Sequence, residues 1–390
     1  MSADRRLKGA TILQVIPDLA AGGAERTTIE VSEALSEAGA RALVASAGGR
    51  LESQLAAAGG ELIRMPNAGS KNPIDLALNT RRLVKIIKER KVDIVHARSR
   101  APAWSALAAA RSAGVRFVTT YHGIYSGRSA PKRLYNSVMA RGDAVIANSD
   151  YTADLIRTQY PDATSRIVTI PRGVDLNKFR PDAVSEMRTA AMARAWHIEE
   201  KRPLVILLPA RLTAWKGQRE AVLACGQLLK RGLSGWKLIL AGDAQGREDY
   251  VKALRELIAD QGLADHAEIV GHCDDMPAAL ALSDIVVVPS VRPEAFGRSA
   301  AEAGAMAVPV VGSRLGAQQE VIVEGETGLL AAPGQVGPLA DAIADLIGRG
   351  DVGRRAMGAA AQQRVRDLYS TRALQTATLA VYERLLVKAE

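Results

Sequence analysis

Aromatic residues are scarce in this 390-residue chain, with Phe, Trp and Tyr together making up 4% of it. Their scarcity leaves few of the stacking surfaces that bind single-stranded nucleic acid. Cysteine is rarer still: Cys225 and Cys273 stand far apart with no Cys-x-x-Cys spacing, which argues for two reduced core thiols against a disulfide or a metal site. The five histidines form no metal-ligand spacing either, so no essential metal and no resident cofactor are expected. No early segment approaches the roughly 20 apolar residues that cross a bilayer, and Ile12–Ile16 is far too short for a signal-peptide core. The expected location is the cytoplasm.

Aliphatic residues, by contrast, are plentiful, and 390 residues are too many for one ordinary core. Short apolar runs alternate with helical patterns at 10–17, 42–47, 61–66, 93–97, 117–121, 144–148 and 167–171. The alternation restarts at 204–209 and continues at 237–242, 268–271, 285–289, 310–312 and 328–331. Continuous apolar runs between helices are the mark of strands buried on both faces, so the class is α/β with two doubly wound parallel sheets. Pro171-Arg172-Gly173-Val174-Asp175, Phe179-Arg180-Pro181 and an Ala-rich polar stretch reaching Lys201 and Arg202 place the boundary near 180 to 200. The expected domains are 1–185 and 200–370. A last helix at about 370–390, with Leu374, Val381, Leu385 and Leu386 at helical spacing up to Lys388, packs back on the first.

Charge is unevenly shared. Residues 1–180 hold 27 Lys plus Arg against 16 Asp plus Glu, and the remainder holds 24 against 26. The excess lies in the clusters Arg81 to Lys91, Arg98 to Arg116 and Arg128 to Arg141. Such a surface attracts anionic lipid or nucleic acid, and the expectation here is contact with the cytoplasmic face of an anionic inner membrane.

Glu294 and Glu302 follow the run 285–289, where a strand hands over to a helix through Phe296-Gly297-Arg298. Backbone N–H groups and the helix dipole at such a point suit an anion, whereas carboxylates repel one. A nucleotide sugar resolves the conflict: its diphosphate takes the helix N-terminus and basic side chains, while the two carboxylates accept hydrogen bonds from sugar and ribose hydroxyls roughly 10 Å apart. Arg211 and Lys216, just past the first strand of the second domain, can neutralise that diphosphate as it leaves. Gly242-Asp243 and Gly271-His272 end the next two strands and can offer backbone groups to a nucleobase. Asp274-Asp275 opens a helix, where acidic residues are favoured without a ligand. In the first domain, Gly22-Gly23 allow close backbone approach after the first strand, although no dinucleotide fingerprint accompanies them. His122 sits where the fifth strand ends. Two open α/β domains that face each other would bring these positions to one interdomain cleft.

Taken together these residues resemble family 4 of the retaining glycosyltransferases, whose GT-B fold pairs two facing Rossmann-like domains. Glu294 and Glu302 match the family's Glu-x7-Glu pattern, supported by Arg211, Lys216, Gly22-Gly23, Gly316 to Glu320, Gly325 and Gly328. The resemblance implies that Glu294 contacts the donor sugar and Glu302 the ribose, that Arg211 and Lys216 hold the diphosphate, and that backbone N–H groups of Phe296, Gly297 and Arg298 line the sugar and phosphate. His122 would lie beside the anomeric carbon, and Gly22 and Gly23 would shape the acceptor side of the donor site. The chain departs from the pattern at Ala295, at Arg172, where Asn is usual, and at Ala317-Gln318-Gln319.

The segments 96–104 and 119–148 look like bacterial lipopolysaccharide-core and other envelope glycosyltransferases, which points to GDP-mannose as donor and a glycan or glycolipid as acceptor. Two other readings stay open: a nucleotide-sugar epimerase, which would turn over donor without acceptor, and a non-enzymatic basic module for membrane or nucleic acid. The absence of a nucleic-acid motif counts against nucleic acid as a partner.

Overall fold

The structure is a computed structural model that describes residues 7–20, 22–125, 127, 129–198 and 203–387. Arg128 of the third basic cluster, Lys201 and Arg202 at the expected boundary, and Lys388 lie outside the described residues. The chain forms two compact units, Met1–Gly173 together with Thr371–Glu390, and Val174–Ser370.

In the first unit seven parallel strands stand in the order β3-β2-β1-β4-β5-β6-β7. They are β1 (Thr11–Val15), β2 (Arg41–Ser46), β3 (Gly60–Arg64), β4 (Ile94–Ala97), β5 (Arg116–Tyr121), β6 (Ala144–Ala147) and β7 (Ile167–Thr169). The inner strands β1, β4 and β6 are buried throughout, while the edges β3 and β7 are partly exposed. Alternation along β1 sends Leu13 and Val15 into one core layer with Leu83, Ala106 and Phe117, and Ile12 into the opposite layer with Val31, Leu35, Val118 and Ile146.

The second of these layers is completed from the far end of the sequence. Leu374, Val381 and Tyr382 of the helix Thr371–Leu386 join it. Gln375 donates to the Glu30 carbonyl at 2.9 Å, and Arg372 pairs with Glu37 at 2.7 Å. Buried His96 has Nδ1 2.6 Å from Tyr382 Oη and Nε2 2.7 Å from Thr120 Oγ1. Arg98, counted above with a basic surface cluster, is instead 2% exposed, and its guanidinium donates to Gln14 Oε1 (Nε at 2.8 Å) in place of water.

Burial first, and then the electrostatic influence of Arg98 and His122, hold the His96 imidazole well below its ordinary 6.5. The folded state therefore keeps it neutral, while the unfolded chain takes a proton below that value. The stability it contributes is intact above pH 6.5 and is lost as pH falls toward the depressed value. Chemical unfolding followed from about pH 7.5 to about pH 5.5 is expected to lose roughly 1.4 kcal/mol per pH unit below 6.5 from this group. His96→Gln is expected to be less stable at the upper pH and to flatten that slope, and an unchanged slope would remove His96 as its source.

The second unit repeats the architecture with six parallel strands in the order β10-β9-β8-β11-β12-β13. They are β8 (Leu204–Pro209), β9 (Trp236–Ala241), β10 (Ala267–Gly271), β11 (Ile285–Val288), β12 (Val310–Ser313) and β13 (Gly328–Ala331). The expected boundary at 180 to 200 lies inside this unit, because Val174, Phe179, Trp196 and Ile198 are buried in its core with Val205, Leu280 and Phe296. Among the described residues no helix is long and apolar enough to cross a membrane. Cys225 is a buried free thiol, pushed up to about 12 by burial, and Cys273 is half-buried and pushed up to about 11 for the same reason.

Candidate functional site

Strand order reverses between β8 and β11, and in open α/β sheets the carboxyl ends of the strands at such a switch point form a crevice. Both loops that leave this point carry residues singled out above. After β8 the chain runs through Arg211 into the single turn Ala214–Lys216 and then into the helix Gln218–Lys230. Gly217 makes that entry possible, with φ at +80° and so little room that a Cβ would stand 2.0 Å from the Pro289 carbonyl oxygen. The β8 loop is thereby pressed against the end of β11.

The consequence is an ion pair. Lys216 Nζ lies 2.9 Å from Glu294 Oε2, with only 13% and 11% of the two side chains exposed. The other carboxylate oxygen accepts from Ser290 Oγ at 2.5 Å and from Gln318 Nε2 at 3.3 Å. Gln318 is fully buried, and its Oε1 accepts from Ser313 N at 2.7 Å. The Glu294 backbone is fixed as well: it bridges Gly316, and its carbonyl accepts from Ala317 N at 3.0 Å. A side chain on Gly316, whose φ is +63°, would meet the Glu294 backbone at 2.8 Å. Lys216 also lies 4.4 Å from the centre of the Trp215 ring.

Arg211 is exposed, and its Nη1 is 3.3 Å from Gln245 Oε1. Of the two cations expected to meet a diphosphate, one is already paired with a carboxylate and the other reaches into solvent. Phe296 is 7% exposed and stacks edge-on with Tyr369 at 5.6 Å, so its ring belongs to the core. Glu302 is half-buried in the helix Arg298–Ala305, which Ser299 Oγ ties to the Pro209 carbonyl at 2.9 Å. Arg298 N donates to the Phe296 carbonyl at 3.0 Å, and Gly242 N to the Gly271 carbonyl at 2.7 Å. Those two N–H groups, of which the resemblance assigned that of Arg298 to the sugar and phosphate, are therefore committed. What Arg298 does offer is its side chain, whose Nε and Nη2 are buried without a hydrogen-bond partner among the described residues. His272 is exposed beside Asp274 at 3.1 Å. Asp275 caps the helix Met276–Leu282 through Ala278 N at 3.1 Å, and Arg188 grips the same carboxylate and holds it below its usual range. Among the described residues no group of three or more His, Cys, Asp or Glu could hold a metal ion.

The first unit assembles its own cluster. Arg98, His122, Asn148 and Ile170 leave the ends of β4, β5, β6 and β7 and, with Arg172, Thr27 and Thr378, enclose a cavity of about 10 Å³, room for a single water. Arg172 Nη2 donates to the His122 carbonyl at 2.8 Å. Asn148 is 1% exposed, and neither atom of its amide has a hydrogen-bond partner among the described residues. Gly22 opens the helix Gly23–Glu37, where its carbonyl accepts from Arg26 N at 3.2 Å.

A family model described as Glycosyltransferase Family 4 matches residues 21–178, and one described as Glycosyl transferases group 1 matches residues 192–364. A Mycobacterium tuberculosis protein named GDP-mannose-dependent alpha-(1-6)-phosphatidylinositol monomannoside mannosyltransferase is 30% identical over 282 residues, 68% of this chain and 69% of that protein. The chain belongs to the family 4 glycosyltransferases. A glycosyltransferase from Rickettsia africae matches 98% of the chain over its whole length, with 32% identity and a TM-score of 0.90. Anabaena HepE, solved with UDP and glucose, matches 95% of the chain and 98% of its own at 25% identity and a TM-score of 0.80. The two Rossmann-like units of this glycosyltransferase are those of the GT-B fold.

In this glycosyltransferase the sequence pattern located Lys216 and Glu294 without showing that they touch. Ser290, which precedes Glu294 by one helical turn's spacing, and Gln318, visible only as a departure from the family pattern, were missed as its partners. Asn148 was also missed, although it closes the apolar run of β6.

Proposed function

We propose that this glycosyltransferase moves mannose from GDP-mannose, with retention of configuration, to a glycan or lipid-linked acceptor of the cell envelope such as the lipopolysaccharide core. The Lys216–Glu294 pair at the switch point of the second sheet carries the reading. An incoming nucleotide sugar can satisfy both partners at once, its diphosphate taking Lys216 and its hydroxyls taking Glu294. The exposed Arg211 and the guanidinium of Arg298 add positive charge, Glu302 accepts from the ribose, and the ends of β9 and β10 at Gly242 and Gly271 border the base. In this reading His122 lies beside the anomeric carbon, and Gly22 and Gly23 shape the acceptor side.

The glycosyl C–O bond to phosphate breaks with its electron pair going to the diphosphate. The acceptor oxygen then bonds the anomeric carbon from the face just vacated, and its proton passes to a phosphate oxygen of the leaving group. Lys216 and Arg211 meet charge that grows in the transition state, so the reading asks for no metal. It places the protein in the cytoplasm, against the inner face of the membrane.

The mannosyl donor is favoured by the name of the Mycobacterium relative, and a uridine donor by the UDP and glucose bound to HepE. Thermal unfolding with GDP, UDP, ADP and their sugars separates them. At about 100 times its Kd the cognate nucleotide is expected to raise the midpoint by roughly 5 °C or more, and Arg211→Ala and Glu302→Ala are expected to reduce the rise. A response to UDP in place of GDP replaces the donor assignment, and no response at millimolar ligand removes it.

A further inference from the structure

The outer face of the helix Pro73–Arg90 has no partner in the first unit. Asn79, Leu83, Ile86 and Ile87 turn inward and are buried, so the core is already served by the opposite side. Ile74 and Leu78 are left 70% and 55% exposed. They share one arc of about 100° with Arg81, Arg82 and Lys85, because these positions recur at the helical spacing i, i+4, i+7, i+8 and i+11. The face thus runs from two large apolar side chains into a cationic row.

Its acidic residues are already occupied. Asp75 is drawn aside by Ser70 Oγ at 2.6 Å and Asn67 Nδ2 at 3.0 Å, and Glu89 lies at the far end beside Lys85 at 3.7 Å.

A second element continues the pattern. In the helix Ala130–Asn136, Pro131, Lys132, Arg133 and Leu134 are all exposed, Leu134 by 61%. Neighbouring residues of the helix Arg100–Ala113 tie down both elements: Ser105 Oγ donates to the Leu76 carbonyl and Trp104 Nε1 to the Tyr135 carbonyl, each at 3.1 Å. Arg100 Nη1 adds a bond to Asn136 Oδ1 at 2.8 Å. The exposed apolar residues are therefore presented on elements fixed to one helix, and the same segments carry the exposed cations Lys71, Arg81, Arg82, Lys85, Lys132 and Arg133.

We infer that this surface docks on an anionic lipid bilayer, with Ile74, Leu78 and Leu134 entering the interface and the surrounding cations meeting lipid phosphates. A few apolar side chains set among like charges would be a poor core for a dimer of this chain, since each copy would bring the same cations to the seam. An anionic headgroup layer over hydrocarbon matches both parts of the pattern. The inference deepens the envelope reading by naming its membrane contact, and it does not depend on the donor.

The test is flotation of the full chain with vesicles of phosphatidylcholine, alone or with about one third phosphatidylglycerol, at about 50 mM and about 300 mM salt. Binding is expected only to the anionic vesicles and to weaken at least tenfold at the higher salt. The double variants Ile74→Ser with Leu78→Ser, and Arg81→Glu with Arg82→Glu, are each expected to weaken it at least tenfold while leaving the thermal response to nucleotide unchanged. No binding of the wild type, or binding untouched by either pair, overturns the inference. Loss with the charge pair alone reduces the face to general cation attraction and overturns it too, as would a dimer that Ile74→Ser with Leu78→Ser dissociates. Nucleotide response is read separately in every case, so a failed donor assignment and a failed membrane surface are told apart.

Discussion

Lys216→Ala is expected to lower kcat/KM by about 10²- to 10³-fold, the usual loss when a donor aimed at developing transition-state charge is removed. Most of that loss should appear in kcat, because the ammonium exchanges a carboxylate it already holds, Glu294 at 2.9 Å, for a phosphate whose charge rises only as the glycosyl bond breaks. Lys216→Arg is not expected to restore activity. The longer side chain with its planar fork spreads the charge and fixes it bidentately on the Glu294 carboxylate, in place of the point charge that Nζ holds 2.9 Å from Oε2. Steady-state kinetics on variants of unchanged thermal midpoint in the absence of ligand decide the matter. A loss below about threefold with Lys216→Ala would mean that the pair is structural and that the diphosphate is held elsewhere.

Tyr382→Ala should destabilise the first unit by about 3–5 kcal/mol, through a cavity in a fully buried layer and the loss of a partner for His96. Tyr382→Phe keeps the volume and removes only the hydroxyl that meets His96 Nδ1, so about 1–3 kcal/mol is expected. The residue lies near the end of the sequence and follows the second unit directly, yet its damage belongs to the first. Hydrogen exchange should therefore lose protection in β1, β4 and β6 before β8 and β11. Equal loss in both sheets would contradict the assignment of the last helix to the first core.

Much of the fold was legible because a strand buried on both faces must be apolar along its whole length. The thirteen strands among the described residues overlap the expected runs, and His122, Arg211 and Glu294 lie in the segments that follow strand ends. What the residues could not disclose is which strands stand side by side. Lys216 and Glu294 meet because β8 and β11 are neighbours, a fact of sheet order that no local pattern carries. For the same reason Arg98 was read as surface charge: its partner Gln14 lies one strand away in space but far away in sequence. The boundary near 180 to 200 was misplaced because Val174 and Phe179, set among turn residues, give no local sign that they belong to the second core. Nor does a sequence show which backbone groups are spent, as with the N–H groups of Gly242 and Arg298.

The helix Thr371–Leu386 also orders events in time. On the ribosome the seven strands of the first sheet emerge early, but one of their two layers stays incomplete, lacking Leu374, Val381 and Tyr382, until this helix follows. Between Gly173 and Thr371 some 200 residues of the second unit must be made, about 10–40 s at ordinary elongation rates. The unit that is continuous in the chain can thus close first, and the nascent first unit is the one left with an incomplete core meanwhile.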